Sequence, residues 1–301
     1  MRVFLAGASG AIGVPIVRGL VAGGHQVIAM TRSAAHEPML RALGATPVIA
    51  DALDAAAVRR VVMAARPTHV IHQLTALPKG GPKSAKELVP TNRLRVEATK
   101  HLIDAAVAAG ATRFVVGSFA LIAGERAGIP ADAQAAADAV QSMESQVLDA
   151  SARRCIEGIV LRYGLFYAAD NGMTQQLIAL ARRRLLPAVR GDRGLLPVIQ
   201  VEDAASATIA ALDHGTPGSI YDIVDGHPIS MSDMVRAIAE SAGAPRPIAV
   251  PAWLPRLLAP YAARMFTIRL PLSNDKARLE LGWTPKYQTI RDGLAAFGRA
   301  A

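Results

Sequence analysis

The sequence predicts an α/β fold: a doubly wound parallel sheet over residues 1–163, then a smaller lobe over 164–301 that also completes the sheet edge. Three observations carry this. Strand-like and helix-like segments alternate through the first half of the chain. A turn with glycines at every third position joins the first strand to the first helix. The apolar content (51% hydrophobic, 4% aromatic) is built from Ala, Val, Leu and Ile, which suits parallel strands buried under small-residue helices.

Arg2 to Ala6 reads as a buried strand. Val14 to Ala22 reads as a helix that tolerates Pro15 in its first turn and ends at Gly23 and Gly24. Gln26 to Met30 and Pro47 to Ala50 are strands, and a helix from Asp54 stops before Pro67. His69 to Leu74 is the fourth strand. A loop rich in Pro, Gly and Lys runs from Pro78 to Pro90, then a long helix from Thr91 to Ala109. Phe114 to Ser118, a helix over Gln134 to Ala152, and Ile159 to Arg162 complete the alternation. Beyond Tyr163 the pattern loosens into short strands (Pro197 to Val201, Ile220 to Val224) and helices (Met173 to Arg184, Asp203 to Leu212, Ser232 to Ala242). The segments near Val201 and Tyr221 are expected at the sheet edge.

Composition excludes several classes. The net charge of +9 permits attraction to polyanions, but no aromatic-basic surface motif accompanies it, so no specific nucleic-acid partner is expected. The densest run, Arg182-Arg183-Arg184, reads as a solvated helix end, with contact to an anionic substrate as the alternative. Cys155 is the single cysteine and the seven histidines show no ligand spacing, so neither a disulfide nor a metal is expected. Met1 to Ala6 runs straight into the glycine turn, unlike a leader peptide. The nearest approach to a spanning segment, Ala252 to Leu272, is broken by Pro255, Arg256, Pro260, Arg264 and Arg269. A cytoplasmic protein with no membrane partner is the expectation.

The sharpest signal is Gly7-Ala8-Ser9-Gly10-Ala11-Ile12-Gly13 between strand one and helix one. Gly7 allows the tight turn, Gly10 lets backbone approach a pyrophosphate, and Gly13 lets the helix pack on the sheet. The helix start offers free N–H groups and the positive end of its dipole. This places a dinucleotide on Gly7, Ser9, Gly10, Ala11, Ile12 and Gly13. An acid for the ribose hydroxyls is usual about twenty residues on, but here Thr31-Arg32-Ser33 stands there, with no carboxylate until Glu37. A guanidinium and two hydroxyls suit a 2′-phosphate, so NADP(H) is preferred and NAD(H) remains open.

These residues, with others in order along the chain, resemble the extended and atypical branch of the short-chain dehydrogenase/reductase superfamily, the NAD-dependent epimerase/dehydratase family, whose nucleotide-binding part is a Rossmann fold. Asp51-Ala52-Leu53-Asp54 resembles the segment whose first acid meets the adenine. His72-Gln73-Leu74-Thr75-Ala76 resembles the strand end lining the adenosine ribose. Thr91-Asn92 with Thr99 resembles the family's Asn helix, and Ser118 falls on its catalytic serine. Leu161-Arg162-Tyr163-Gly164 resembles the segment that passes the nicotinamide. Val201-Glu202-Asp203-Ala204-Ala205 and Leu281-Gly282-Trp283-Thr284-Pro285 resemble two further stretches. The resemblance implies cofactor contacts at Asp51, Ala52, Gln73, Leu74, Thr75 and Tyr163.

One departure stands out. The family's Y-x-x-x-K pair supplies a tyrosine acid–base and a lysine that lowers its pKa. This chain has no lysine between Lys100 and Lys276 and no tyrosine before Tyr163. Matching Glu144 to the glutamate that follows that motif puts Ala136 and Val140 at the pair's positions. Two readings follow. In one, an NADP(H)-dependent oxidoreductase or epimerase/dehydratase-like enzyme acts on a small carbonyl-type substrate with a non-standard site, Ser118 and Tyr163 being its candidate catalytic residues and Tyr167 a further hydroxyl nearby. Such a site can deliver hydride to an activated substrate with little acid catalysis. In the other, the chain binds NADP(H) without turnover as a redox sensor. His72 reads as a core or ribose-side histidine. Glu125 and Arg126 fall in the loop that covers the site in this family, and Asp192 and Arg193 in a turn that borders substrate. The resemblance also implies a possible homodimer through the helices Thr91 to Ala109 and Gln134 to Ala152.

Overall fold

The computed structural model describes residues 1–78, 80–123, 133–168 and 172–297. The chain runs β1 (Arg2–Ala6), α1 (Gly13–Ala22), β2 (Gln26–Thr31), α2 (Glu37–Ala42), β3 (Thr46–Ile49), α3 (Ala55–Ala65), β4 (His69–His72), α4 (Val89–Arg93), a π-helical turn (Leu94–Ala98), α5 (Thr99–Ala108), β5 (Arg113–Phe119), α6 (Ala120–Ala123), α7 (Gln134–Ala152) and β6 (Glu157–Tyr163). It continues as β7 (Leu165–Tyr167), α8 (Gly172–Arg182), β8 (Ala188–Val189), β9 (Val198–Gln200), α9 (Val201–His214), β10 (Ile220–Ile223), α10 (Met231–Ser241), β11 (Ala249–Val250), α11 (Trp253–Leu258), α12 (Pro260–Ala263), α13 (Asp275–Leu281) and α14 (Ile290–Phe297).

Seven parallel strands form the main sheet in the order β10-β6-β5-β4-β1-β2-β3. Alternation of side chains along each strand divides its apolar residues between two faces. Val3, Leu5, Val115, Leu161 and Tyr163 pack with α1 and α9, while Phe4, Val70, Phe114, Val116 and Val160 pack with α3, α5 and α7. A third core of Tyr167, Leu196, Val198, Met234, Ile238, Ile290 and Leu294 holds the lobe. The registers Ala6↔Met30 and Ala6↔His72 align the carboxyl ends of β1, β2 and β4. Gly7, Thr31 and Gln73 therefore share one rim, where ligands of such sheets bind.

Three differences from the sequence reading stand out. The Ile220 strand does join the sheet edge beside β6, but Val198–Gln200 pairs with β7 in a separate two-stranded ladder. The helix expected over Thr91 to Ala109 is interrupted by the π-helical turn, which the uniform alanine-rich pattern conceals. Between β2 and β3 lies α2, short and mostly exposed, whose brevity leaves too few apolar positions for a period.

Candidate active site

The glycine turn has the shape its sequence implies. Gly7 has φ +93°, and a Cβ there would lie 2.7 Å from the Gln73 carbonyl oxygen. A Cβ on Gly13 would overlap the Gly7 carbonyl oxygen and stand 2.8 Å from Ala8 Cα. Both positions therefore exclude a side chain. Ser9 is half-buried, Gly10 and Ala11 are exposed at the tip, and Ile12 anchors the turn in the core. Ile12 is the N-cap of α1 and provides no side-chain bond, and the first turn carries no acid. The Val14 amide bonds the Gly10 carbonyl and Pro15 has no N–H, so the donors left at this helix start are the amides of Ala11, Ile12 and Gly13.

The end of β2 forms a second polar patch. Thr31 is buried; its Oγ1 lies 3.1 Å from a ring nitrogen of His36 and 3.5 Å from Ser9 Oγ, and it accepts from the Ser33 amide at 3.3 Å. Ser33 caps the next turn by accepting from the Ala35 amide. Arg32 is exposed and has no ion-pair partner among the described residues, while Glu37 pairs with Arg41 at 2.8 Å. At this end of β2 no carboxylate stands before Glu37, and that one is taken by Arg41. His36 was not singled out in the sequence, because nothing local marks it as a partner of Thr31.

Further along the rim, Asp51 is exposed and accepts from the Leu53 amide, and the buried Ala52 gives its carbonyl to His101. Leu74 is half-buried and Thr75 exposed. His72 is buried; its Nδ1 accepts from the Leu74 amide at 3.1 Å, and its Nε2 lies 3.1 Å from Thr99 Oγ1. Burial, with Arg95 nearby, lowers its pKa to about 4, so it stays neutral and structural at neutral pH. Arg95, in the π-helical turn, is itself buried with Asn92 as its described partner, and desolvation lowers its pKa to about 10.

Ser118 and Tyr163 do not converge. Ser118 points to the α7 face and donates to Glu144 Oε1 at 2.6 Å. Arg162, beside it in register, grips the same carboxylate through Nε at 3.0 Å and Nη2 at 2.7 Å. That bond holds the Arg162 pKa above its usual value. Tyr163 points to the opposite face. Its hydroxyl accepts from Gln73 Nε2 at 2.9 Å and lies 2.7 Å from Thr208 Oγ1, whose own proton goes to the Ala204 carbonyl at 2.7 Å. The tyrosine proton is therefore directed to Thr208, into the core. Burial pushes its pKa far up. Tyr167 is fully buried in the lobe core, bonded to the Thr289 carbonyl, and burial raises its pKa in the same way. The facing part of α7 presents Ala136, Ala139, Val140 and Met143, all buried.

The sequence model of the NAD dependent epimerase/dehydratase family matches residues 3–224. The chain belongs to that family. A member of similar sequence is the 3-diazoavenalumate denitrifying reductase of a Streptomyces species, 38% identical over 98% of this chain and 99% of that protein. The 2-alkyl-3-oxoalkanoate reductase of Stenotrophomonas maltophilia is 26% identical over 82% of this chain and 77% of its own. Among solved structures, UDP-glucose 4-epimerase of Thermotoga maritima superposes with a TM-score of 0.80 at 19% identity, covering 99% of this chain and 98% of that one. The Thermus thermophilus UDP-glucose 4-epimerase, solved with NAD, gives 0.75 at 24% identity over the whole of both chains.

As a member of the epimerase/dehydratase family this chain is an NAD(P)-dependent oxidoreductase. A non-catalytic role draws no support from the relatives named above. The side-chain-free positions at Gly7 and Gly13 and the start of α1, which has no side-chain cap, would accommodate a dinucleotide pyrophosphate. Among the described residues no helix is long and apolar enough to cross a membrane, and no cluster of His, Cys, Asp or Glu could hold a metal. Glu125 and Arg126 lie outside the described residues. Both oxygens of Asp192 are engaged by the Gly194 and Ser232 amides, whereas Arg193 is exposed beside a lobe cavity.

The lobe also buries a carboxyl group. Asp225, just past β10, is 2% exposed, accepts from the His227 amide through Oδ1 and has no partner for Oδ2 among the described residues. Burial, with Asp203 and Asp292 nearby, raises its pKa to about 7.

Proposed function

We propose that this protein is an NADPH-dependent reductase for a strongly electrophilic substrate, such as an arenediazonium ion, whose reduction needs no proton at the reacting atom. The observation that carries this is a glycine turn open to a dinucleotide and, among the described residues at the positions a proton donor would take, none with an uncommitted proton. Ala136 and Val140 are apolar, the Ser118 proton is given to Glu144, and the Tyr163 proton to Thr208. The Gly7–Gly13 turn would hold the pyrophosphate, Asp51 the adenine, and Gln73, Leu74 and Thr75 the adenosine side. Arg32, Ser33 and Thr31 would take the 2′-phosphate that distinguishes NADPH, since a guanidinium there meets no competing carboxylate. The nicotinamide supplies hydride when bound.

Hydride delivered to an arenediazonium ion forms the C–H bond while the C–N bond breaks, and dinitrogen leaves with the bonding pair. Two electrons pass from cofactor to substrate and the charges balance without an acid. The name of the Streptomyces relative, a denitrifying reductase of a diazo compound, supports this substrate class. In this reading Ser118 and Tyr163 are positioning residues: one fixes Glu144 against Arg162, the other fixes Gln73 at the rim.

The test pairs NADPH and NADH binding, followed by fluorescence, with turnover of a benzenediazonium salt and of a plain ketone. The uncatalysed diazonium reaction is subtracted. Tighter NADPH binding, stoichiometric dinitrogen release and no ketone reduction are expected. Ketone reduction abolished by Tyr163→Phe would restore a tyrosine acid and overturn the reading.

A further inference from the structure

The net charge of +9 is not spread over the molecule. Residues 171–191 and 241–274 contain no aspartate, glutamate or lysine, yet hold eight arginines, four in each segment. The fold joins the two: β8 pairs with β11, the Ala188 amide donating to the Ile248 carbonyl and the Arg190 amide to that of Val250. Around this small ladder lie several strongly exposed apolar side chains. Leu185 precedes β8 and is 62% exposed, Ile248 precedes β11 at 54%, and α11 carries Trp253 at 61%, Leu257 at 72% and Leu258 at 73%. Arg190, Arg193 and Arg256 border a cavity of about 140 Å³ beside α11, and none of the three has an ion-pair partner among the described residues.

We infer that this face, Leu185, Ile248, Trp253, Leu257 and Leu258 ringed by arginines, docks on an anionic lipid surface. Tryptophan and leucine enter the headgroup boundary while arginines meet lipid phosphates, the division of labour of interfacial helices. A second copy of the chain is a poor occupant. Symmetric pairing would set arginines against arginines, with no acid in either segment to neutralise them. A polynucleotide would meet the arginines but leave Leu257 and Leu258 without apolar contact. The absence of a spanning segment, which led to the expectation of no membrane partner, concerns insertion across the bilayer and not docking on it.

Trp253 is a built-in reporter, because the other tryptophan, Trp283, is buried and donates to Ser206 Oγ at 2.9 Å. The protein is titrated with vesicles of pure phosphatidylcholine and with vesicles containing about 30 mol% phosphatidylglycerol, while tryptophan emission and co-sedimentation are followed. A blue shift and pelleting with the anionic vesicles alone, both reversed by high salt, are expected. The double substitution Leu257→Ser/Leu258→Ser should weaken binding about tenfold or more and leave the melting temperature unchanged, since both side chains face solvent. Arg256→Gln should weaken it about fivefold. Four results would each overturn the inference: no binding at low salt, equal binding to neutral vesicles, binding insensitive to the leucine substitutions, or a dimer in ultracentrifugation that those substitutions dissolve. None of these readouts uses turnover, so the outcome is independent of the reductase reading.

Discussion

Replacing Asp225 by asparagine should flatten the pH dependence of stability between about pH 4 and pH 7. In the folded protein the carboxyl is buried, has one described donor and titrates near 7, against an ordinary value of 3.8. Below that window both states are protonated and the group contributes no pH dependence. Across it the unfolded chain loses a proton that the folded chain retains, so wild-type stability falls as pH rises. Above about 7 both states are ionised and the penalty is constant. A difference of about three pH units corresponds to about 4 kcal/mol. Asparagine keeps an acceptor for the His227 amide but must place an NH₂ group where Oδ2 lacks a described partner, which reduces the gain to about 2–4 kcal/mol at pH 8. Urea denaturation followed by circular dichroism from pH 4.5 to 8.5 measures this. The other carboxylates are common to both proteins, so the difference between the curves isolates Asp225 to first order. Curves that stay parallel to within about 0.5 kcal/mol would refute the burial argument.

Arg32→Glu should weaken NADPH binding about 10- to 100-fold and NADH binding much less, measured by fluorescence titration; equal losses would remove Arg32 from the 2′-phosphate site. Tyr163→Phe should leave diazonium turnover within about threefold while costing about 1–2 kcal/mol in denaturation, because Gln73 and Thr208 lose their shared partner; a loss of about 100-fold in rate would mark a true acid. Glu144→Ala should destabilise the fold by about 2–4 kcal/mol by stranding Arg162 and Ser118, and an unchanged denaturation midpoint would contradict the described triad. Gly13→Ala should abolish binding of either cofactor in the same titration, since the added methyl meets backbone that cannot yield; retained binding would mean the turn is less tightly closed.

The glycine turn was legible in the sequence because its signals are local. Gly7, Gly10 and Gly13 mark a backbone that tolerates no Cβ, and the missing acid at Thr31-Arg32-Ser33 is visible as a composition of three residues. The sheet was legible because buried strands are continuous apolar runs. What could not be read was direction. Ser118 and Tyr163 both stand at strand ends, but one register step per residue alternates the face, and their placement on opposite faces follows from pairing with β6 and packing on α9. The buried Arg95 and the orphaned oxygen of Asp225 were hidden for a related reason: burial of a polar residue depends on distant segments, and the local sequence around each is unremarkable.

The return of the chain to the sheet after the lobe is built has a practical side. Strand β10 is hydrogen-bonded to β6 yet enters the sequence only at Ile220, after α8, β8, β9 and α9 have formed elsewhere. Tyr221, Leu281 and Trp283 from this late part sit in the same apolar cluster as Val3 and Leu5 from the first strand. The nucleotide-binding half is therefore not a portable module. A gene cut after Tyr163 would leave β6 as a bare edge and uncover the side of the sheet that α9 shields, so grafting this cradle onto another protein requires both ends of the chain.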